Sequence, residues 1–345
     1  MIRTHRENGF LHLVIENEKI RAVFLPEIGG KMKELINLET GTQFLLENQR
    51  EDKMYSSPLY GSEFSKYDVS GFDECFPTVS ACGKDLKEDK KLCFPDHGEL
   101  WSRKWKFSYG RDFITLFIEG MKTKYLFEKK IKLIEDSIEI NYCVKNLSSV
   151  TFPYIWSAHP LLQVAEGDKL LLPGNSDVVS LHWVSDPIIG KPGALLDLSF
   201  LMVKQNEFDF SIVPDKSVEI AMKCFTERLT KGYAGLYKKE KNETILFTFD
   251  ADVIPYLGIW LCYDGWPVDS ERKHYTIGLE PTNGSSDSLT EAVKKNNYSE
   301  LGSFGEHNWT LKITLVQGIP EVFNNESDER KISYIEKYKK HQNSV

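Results

Sequence analysis

Three short segments place ionisable side chains where strand formation alone does not ask for them. In Phe94-Pro-Asp-His-Gly-Glu-Leu-Trp101, His97 and Glu99 flank Gly98, and Trp105 follows closely. Pro95 and Gly98 mark an irregular loop between strands, the kind of segment that commonly carries function. A surface turn whose aromatic residues plug the core is the competing account. In Phe152-Pro-Tyr-Ile-Trp-Ser-Ala-His-Pro160, an aromatic strand ends at His159 beside a proline. A histidine opening onto a face lined by Tyr154 and Trp156 could donate a proton inside a partly apolar pocket; a satisfied core histidine would read the same way. In Tyr275-Thr-Ile-Gly-Leu-Glu-Pro281, a hydrophobic run ends at Glu280. A carboxylate at the end of a buried strand costs desolvation unless it is paired or used.

The elements that would position these residues are strands. Phe10–Ile15 and Lys19–Leu25 flank Glu16-Asn17-Glu18 as a hairpin, and Lys130–Ile134 and Ile138–Val144 flank Glu135-Asp136-Ser137 as another. Trp309, Leu311, Ile313 and Leu315 alternate with polar residues, the pattern of a half-buried antiparallel strand. Such runs recur along the chain with little helical periodicity between them. The reading is all-β: a large antiparallel β-sandwich in one domain over residues 1–320, with no Gly-rich nucleotide cradle. From Glu321 the chain turns strongly polar, and Ile332, Ile335 and Tyr338 predict a short C-terminal helical tail within 321–345.

Composition narrows the function. The 345 residues carry 43 Lys and Arg against 51 Asp and Glu, a net charge of -8, which argues against nucleic acid or an anionic membrane as partner. The N-terminus lacks an apolar targeting segment and no stretch is long enough to span a bilayer, so a cytoplasmic protein is expected. Six cysteines without a C-x-x-C pair read as reduced thiols, and no metal site is expected from their spacing.

Taken together, the three segments resemble those of the aldose 1-epimerase (galactose mutarotase) superfamily: a histidine-glycine loop, a strand ending in His-Pro and a strand ending in Glu-Pro, in that order. Leu25-Pro-Glu-Ile-Gly-Gly-Lys31 is similar to the family's early Pro-x-x-Gly-Gly turn, with Thr40-Gly41 after the next strand, and Gly71-Phe-Asp-Glu-Cys-Phe-Pro-Thr78 is similar to a segment of a mutarotase-like branch. The likeness covers about residues 9 to 317. It implies a β-supersandwich and interconversion of the α and β anomers of a free sugar, without cofactor or metal; the sequence leaves open whether the chain is a monomer or a homodimer. Glu280 then matches the general base, His159 the general acid and His97 the second histidine that holds the sugar. One proton must leave the anomeric hydroxyl and another must reach the ring oxygen, which suits a carboxylate and an imidazolium on opposite sides of the ring.

The likeness has a gap. Galactose mutarotases carry an arginine upstream of the first histidine, whereas Tyr67 to Thr78 contains none. Asp73 or Glu74 could contact sugar hydroxyls instead, or serve structure alone. Lys31, Glu99, Arg103 and Trp260 are further candidates to line the cleft. Two other readings stand beside a free-sugar mutarotase: a hexose-6-phosphate 1-epimerase using Lys31, Lys66, Arg103 and Lys104, and a carbohydrate-binding protein without turnover.

Overall fold

A computed structural model describes residues 1–83, 93–174, 176–203 and 206–323. Among these residues two large antiparallel sheets face each other. The first runs, in spatial order, through Ile2–Glu7, Phe10–Glu16, Ile20–Leu25, Lys31–Asn37, Phe72–Cys75, Ser157–Gln163, Tyr275–Thr282, Tyr256–Tyr263, Ile220–Thr226, Val178–Val184 and Leu195–Asp197. The second runs through Lys169–Leu171, Tyr233–Lys238, Glu243–Phe249, Glu306–Gln317, Ser137–Asn146, Tyr125–Ile134, Phe113–Glu119 and Lys106–Tyr109. The expected antiparallel sandwich is therefore present. Both expected hairpins form, and Trp309 to Leu315 lies in the long strand Glu306–Gln317.

The core lies between the sheets, where Trp105, Phe127, Tyr142, Trp156 and Trp309 are buried with the aliphatic residues of both inner faces. Tyr125–Ile134 alternates buried and part-exposed positions, as a strand with one wet face should. Ser157–Gln163 and Tyr275–Thr282 differ: nearly every residue in them is buried, because loops cover the outer face of the first sheet at its middle. That covered region is where the candidate residues gather.

Four elements depart from the sequence reading. The strands bearing His159 and Glu280 do not end at their prolines but continue to Gln163 and Thr282. The ladder between these two strands skips residues 158 to 160, where Pro160 has no N–H to donate. Strand Ile2–Glu7, a charged stretch to which the sequence reading assigned no element, pairs along its whole length with Phe10–Glu16. A short helix, Leu289–Lys295, was not expected; it is too brief for its periodicity to stand out, and it buries Leu289 and Ala292. Of the polar tail, the 3₁₀ turn Glu321–Phe323 is described, whereas the helix expected over 331–341 lies outside the described residues.

Candidate active site

Strand register builds the floor of the site. Ser157 pairs with Thr282 and Leu161 with Gly278, so His159 lies across from Glu280. Gly258 pairs with Glu280, and Phe225 with Gly258, which brings Lys223 of the next strand towards the same point. Gly258 has to be small: a methyl group there would meet Glu280 Oε2 and Lys223 Nζ at 3.3 Å each. Through the space it leaves, the Lys223 ammonium donates a short hydrogen bond to Glu280 Oε2. Lys223 also lies 3.6 Å from Asp287, whose other oxygen is 3.5 Å from His182 Nε2.

The other carboxylate oxygen, Glu280 Oε1, is buried without a hydrogen-bond partner and faces His159 Nε2 at 3.9 Å. A buried carboxylate oxygen left open in this way can accept a hydrogen bond or a proton from a group entering beside it. Burial raises the Glu280 pKa, Lys223 opposes the rise and Asp287 adds to it. Burial, reinforced by the neighbouring His97, Lys223 and Lys31, holds His159 well below its ordinary value. At neutral pH its imidazole is neutral. Lys223 stays charged, since Asp287 and Glu280 outweigh the burial that works against its ammonium.

His97 arrives from the loop. It adopts a left-handed backbone at φ 56°, its Nδ1 lies 3.0 Å from Asp96 Oδ1, and its ring sits edge to face with His159 at 4.9 Å. Phe64 stacks on His97 at 4.2 Å and meets His159 and Trp101 edge-on, so the three rings of Phe64, His97 and His159 touch one another. The Pro-x-x-Gly-Gly turn holds the loop in place. Gly29 and Gly30 take positive φ, Gly29 N–H donates to the Arg103 carbonyl, and a side chain at Gly29 would collide with the Trp101 backbone. A cleft of about 410 Å³ opens above these groups, walled by Trp183, Trp260 and Trp266 on one side and by Phe64 and His97 on the other. That volume suits a small ligand such as one sugar ring.

The structure thus brings His97, His159, Glu280 and Trp260 together and sends the other candidates elsewhere. Asp73, opposite His159 in the ladder, is fully buried beneath the cleft and ion-paired with Lys31 at 2.9 Å. Its pKa is pushed up to about 6 by burial, against the pull of Lys31. Lys31 also donates to Asp68 and to the Ser70 carbonyl, so it braces the floor under Phe64 and does not line the cleft. Glu74, next along the strand, points to the opposite face and is spent inside the core. The same alternation puts Tyr154 and Trp156 on the inner face, away from the His159 side chain. Glu99 accepts from the Tyr60 and Tyr125 hydroxyls and from the Met121 and Lys122 amides, four bonds that tie the loop to a neighbouring turn. Arg103 donates to the Glu119 carbonyl outside the cleft.

Sequence reasoning missed Lys223, Asp287, Phe64, Trp183 and Trp266. Only Lys223 had a visible signal, as an isolated cation in the apolar run Ile220–Thr226.

No protein-family model matches the chain, and no curated protein does. Solved structures do. A galactose mutarotase-like protein from Lactobacillus casei superposes with a TM-score of 0.64 at 17% identity, over 88% of this chain and 100% of that one. A galactose mutarotase related enzyme from Lactobacillus acidophilus gives 0.62 at 14%, over 89% and 98%. A galactose mutarotase-like protein from Clostridium acetobutylicum gives 0.62 at 13%, over 92% and 98%. At such identities the likeness is one of fold: the chain has the galactose mutarotase-like fold, and function has to be argued from the site.

Proposed function

We propose that the cleft interconverts the α and β anomers of an uncharged aldose by opening and reclosing its ring. The observation that carries this reading is the unpaired Glu280 Oε1, buried and facing His159 across a space walled by aromatic rings. Glu280 takes the proton of the anomeric hydroxyl, His159 delivers one to the ring oxygen, and rotation about the C1–C2 bond before reclosure gives the other anomer. His97, fixed by Asp96 and Phe64, holds a sugar hydroxyl. The indole faces receive the C–H side of the ring. Lys223 opposes the rise that burial imposes on the Glu280 pKa and so favours the ionised carboxylate that a general base requires. General base and general acid at roughly 10²–10⁴ each would together remove about 5–11 kcal/mol of barrier if independent.

Charge favours an uncharged sugar over a phosphate ester. Glu63, Asp96, Glu280 and Asp287 line the cleft, whereas its one lysine among the described residues, Lys223, is held between two of those carboxylates. A phosphate monoester needs several converging cations. Of the cations once considered for that role, Arg103 serves a carbonyl, Lys31 and Lys104 are ion-paired outside the cleft, and Lys66 pairs with Glu63 on the surface.

Polarimetry, or NMR exchange between anomers, on freshly dissolved α-aldoses and their 6-phosphates tests the assignment. The expected result is enzyme-accelerated anomerisation of at least one neutral aldose, with little dependence on salt. Turnover confined to the phosphates would overturn the substrate class, and binding without acceleration of any sugar would leave a carbohydrate-binding protein.

A further inference from the structure

We infer that the N-terminal hairpin carries a zinc site, formed by His5, Glu7 and His12, that is separate from the cleft. The sequence encodes it through a turn. Asn8 and Gly9 both take positive φ, at 49° and 85°, as a tight two-residue hairpin turn requires, and this fixes the register of Ile2–Glu7 against Phe10–Glu16. In that register His5 lies directly opposite His12. Glu7, two residues from His5 on the same strand, projects from the same face.

The three side chains converge. His12 Nδ1 lies 3.2 Å from His5 Nε2 and 3.3 Å from Glu7 Oε2, and His5 Nε2 lies 3.6 Å from the same oxygen. Zinc bonds to imidazole nitrogen and carboxylate oxygen of about 2.0–2.2 Å at a tetrahedral angle place neighbouring ligand atoms about 3.3–3.6 Å apart. The observed edges of 3.2, 3.3 and 3.6 Å match that range to within about 0.1 Å. One proton can bridge only one of its sides, whereas a cation at its centre engages all three donors.

Donor type selects the ion. Two imidazoles and one carboxylate suit zinc among the abundant divalent cations, while calcium and magnesium take oxygen ligands. Three protein ligands leave a fourth tetrahedral position, which opens onto a shallow hollow of about 200 Å³ that Arg3, Arg21, Lys33 and Glu34 also line. The cations there are engaged with other carboxylates: Arg3 with Glu16, and Arg21 and Lys33 with Glu34. Glu7 is therefore left to the two histidines. His12 is nearly fully buried and fixes one ligand rigidly, while His5 and Glu7 are about half exposed and give the ion a way in. The hairpin stands at the outer edge of the first sheet, four to six strand positions from the strands of His159 and Glu280. That is about 19–29 Å at ordinary strand spacing, so the ion would fasten the edge of the sheet and take no part in sugar chemistry.

Full-length protein stripped with a chelator and titrated with Zn²⁺ by calorimetry should bind one ion per chain. With Co²⁺ in its place, the strong visible absorption of a four-coordinate site should appear. His5→Ala and Glu7→Gln change exposed residues and should leave the fold intact, yet each should weaken zinc binding at least about tenfold. Zinc should raise the melting temperature of the wild type and not that of His5→Ala. His12→Ala is less informative because that side chain is buried. Absence of stoichiometric zinc binding by the wild type would overturn the site. Unchanged affinity in both exposed variants would do the same, by assigning the ion to other groups such as the Cys93 thiol.

Discussion

Among the described residues two glutamate–lysine pairs are buried in the first sheet's neighbourhood, one on each of its faces. Glu74 points inward and Glu280 outward. The Glu74 carboxylate is fully used: Oε1 accepts from Lys129 at 3.1 Å and from the Tyr142 hydroxyl at 2.9 Å, and Oε2 accepts from the Trp156 indole at 3.0 Å. Glu280 has its lysine on Oε2 and nothing on Oε1. Both carboxyls are pushed up by burial and pulled back by their lysines. What separates them is the oxygen left over. A saturated buried pair joins the two sheets, whereas one with a free oxygen at the end of an aromatic-walled cleft is equipped to receive a proton from something not yet bound.

Removing the lysine of the saturated pair should give the largest effect, and on stability. Lys129→Met leaves Glu74 as an uncompensated buried charge, expected to cost about 3–5 kcal/mol in denaturant unfolding at neutral pH. The folded-state pKa of Glu74 then climbs further above its unfolded value, so the folded chain binds the extra proton and stability recovers as pH falls below neutrality. Turnover per folded molecule should stay near wild type. A comparable loss of turnover in folded Lys129→Met would mean that the two pairs are not functionally distinct.

Glu280→Gln should do the opposite. Glutamine keeps the shape but cannot accept a proton, so anomerisation should fall by at least about 10² while sugar affinity largely persists. Lys223 retains Asp287 at 3.6 Å as a partner, so the unfolding midpoint should move far less than in Lys129→Met. Near-wild-type turnover in this variant would remove Glu280 from the chemistry and leave its free oxygen unexplained.

How far the sequence revealed this arrangement depends on the range of the signal. Alternation in Tyr125–Ile134 and Glu306–Gln317 is local and announced half-buried strands, hence the sandwich. His159 and Glu280 were visible because each sits beside a proline in an otherwise apolar or aromatic run, and His97 because it stands beside Gly98 in a loop marked by Pro95. Which face a side chain takes is fixed only by register: Asp73 and Glu74 are adjacent, and one lies under the cleft while the other bridges the sheets. The His5, Glu7 and His12 cluster exists only once the hairpin closes. Asp287 and Phe64 reach the cleft from segments far apart in the chain, and no local pattern marks them.

The finest test concerns how Lys223 divides the labour between base and acid. In the wild type the Glu280 pKa lies above 4.5 and that of His159 well below 6.5, so the form with a carboxylate and an imidazolium is the minority state at neutral pH. If His159 donates as an imidazolium, kcat/KM should follow a bell whose maximum lies on the acid side of neutrality. Lys223 lowers the pKa of both groups. Lys223→Met should therefore let both rise, moving the acidic and alkaline limbs together to higher pH by about 1–3 units, the range that one nearby charge commands. A lysine that merely props up the floor of the cleft would, when lost, scale the rate equally at every pH and leave the bell where it was. A wild-type profile that stays flat above neutrality would point elsewhere for the donor, and the Lys223 ammonium, hydrogen-bonded to the base itself, is then the next group to test.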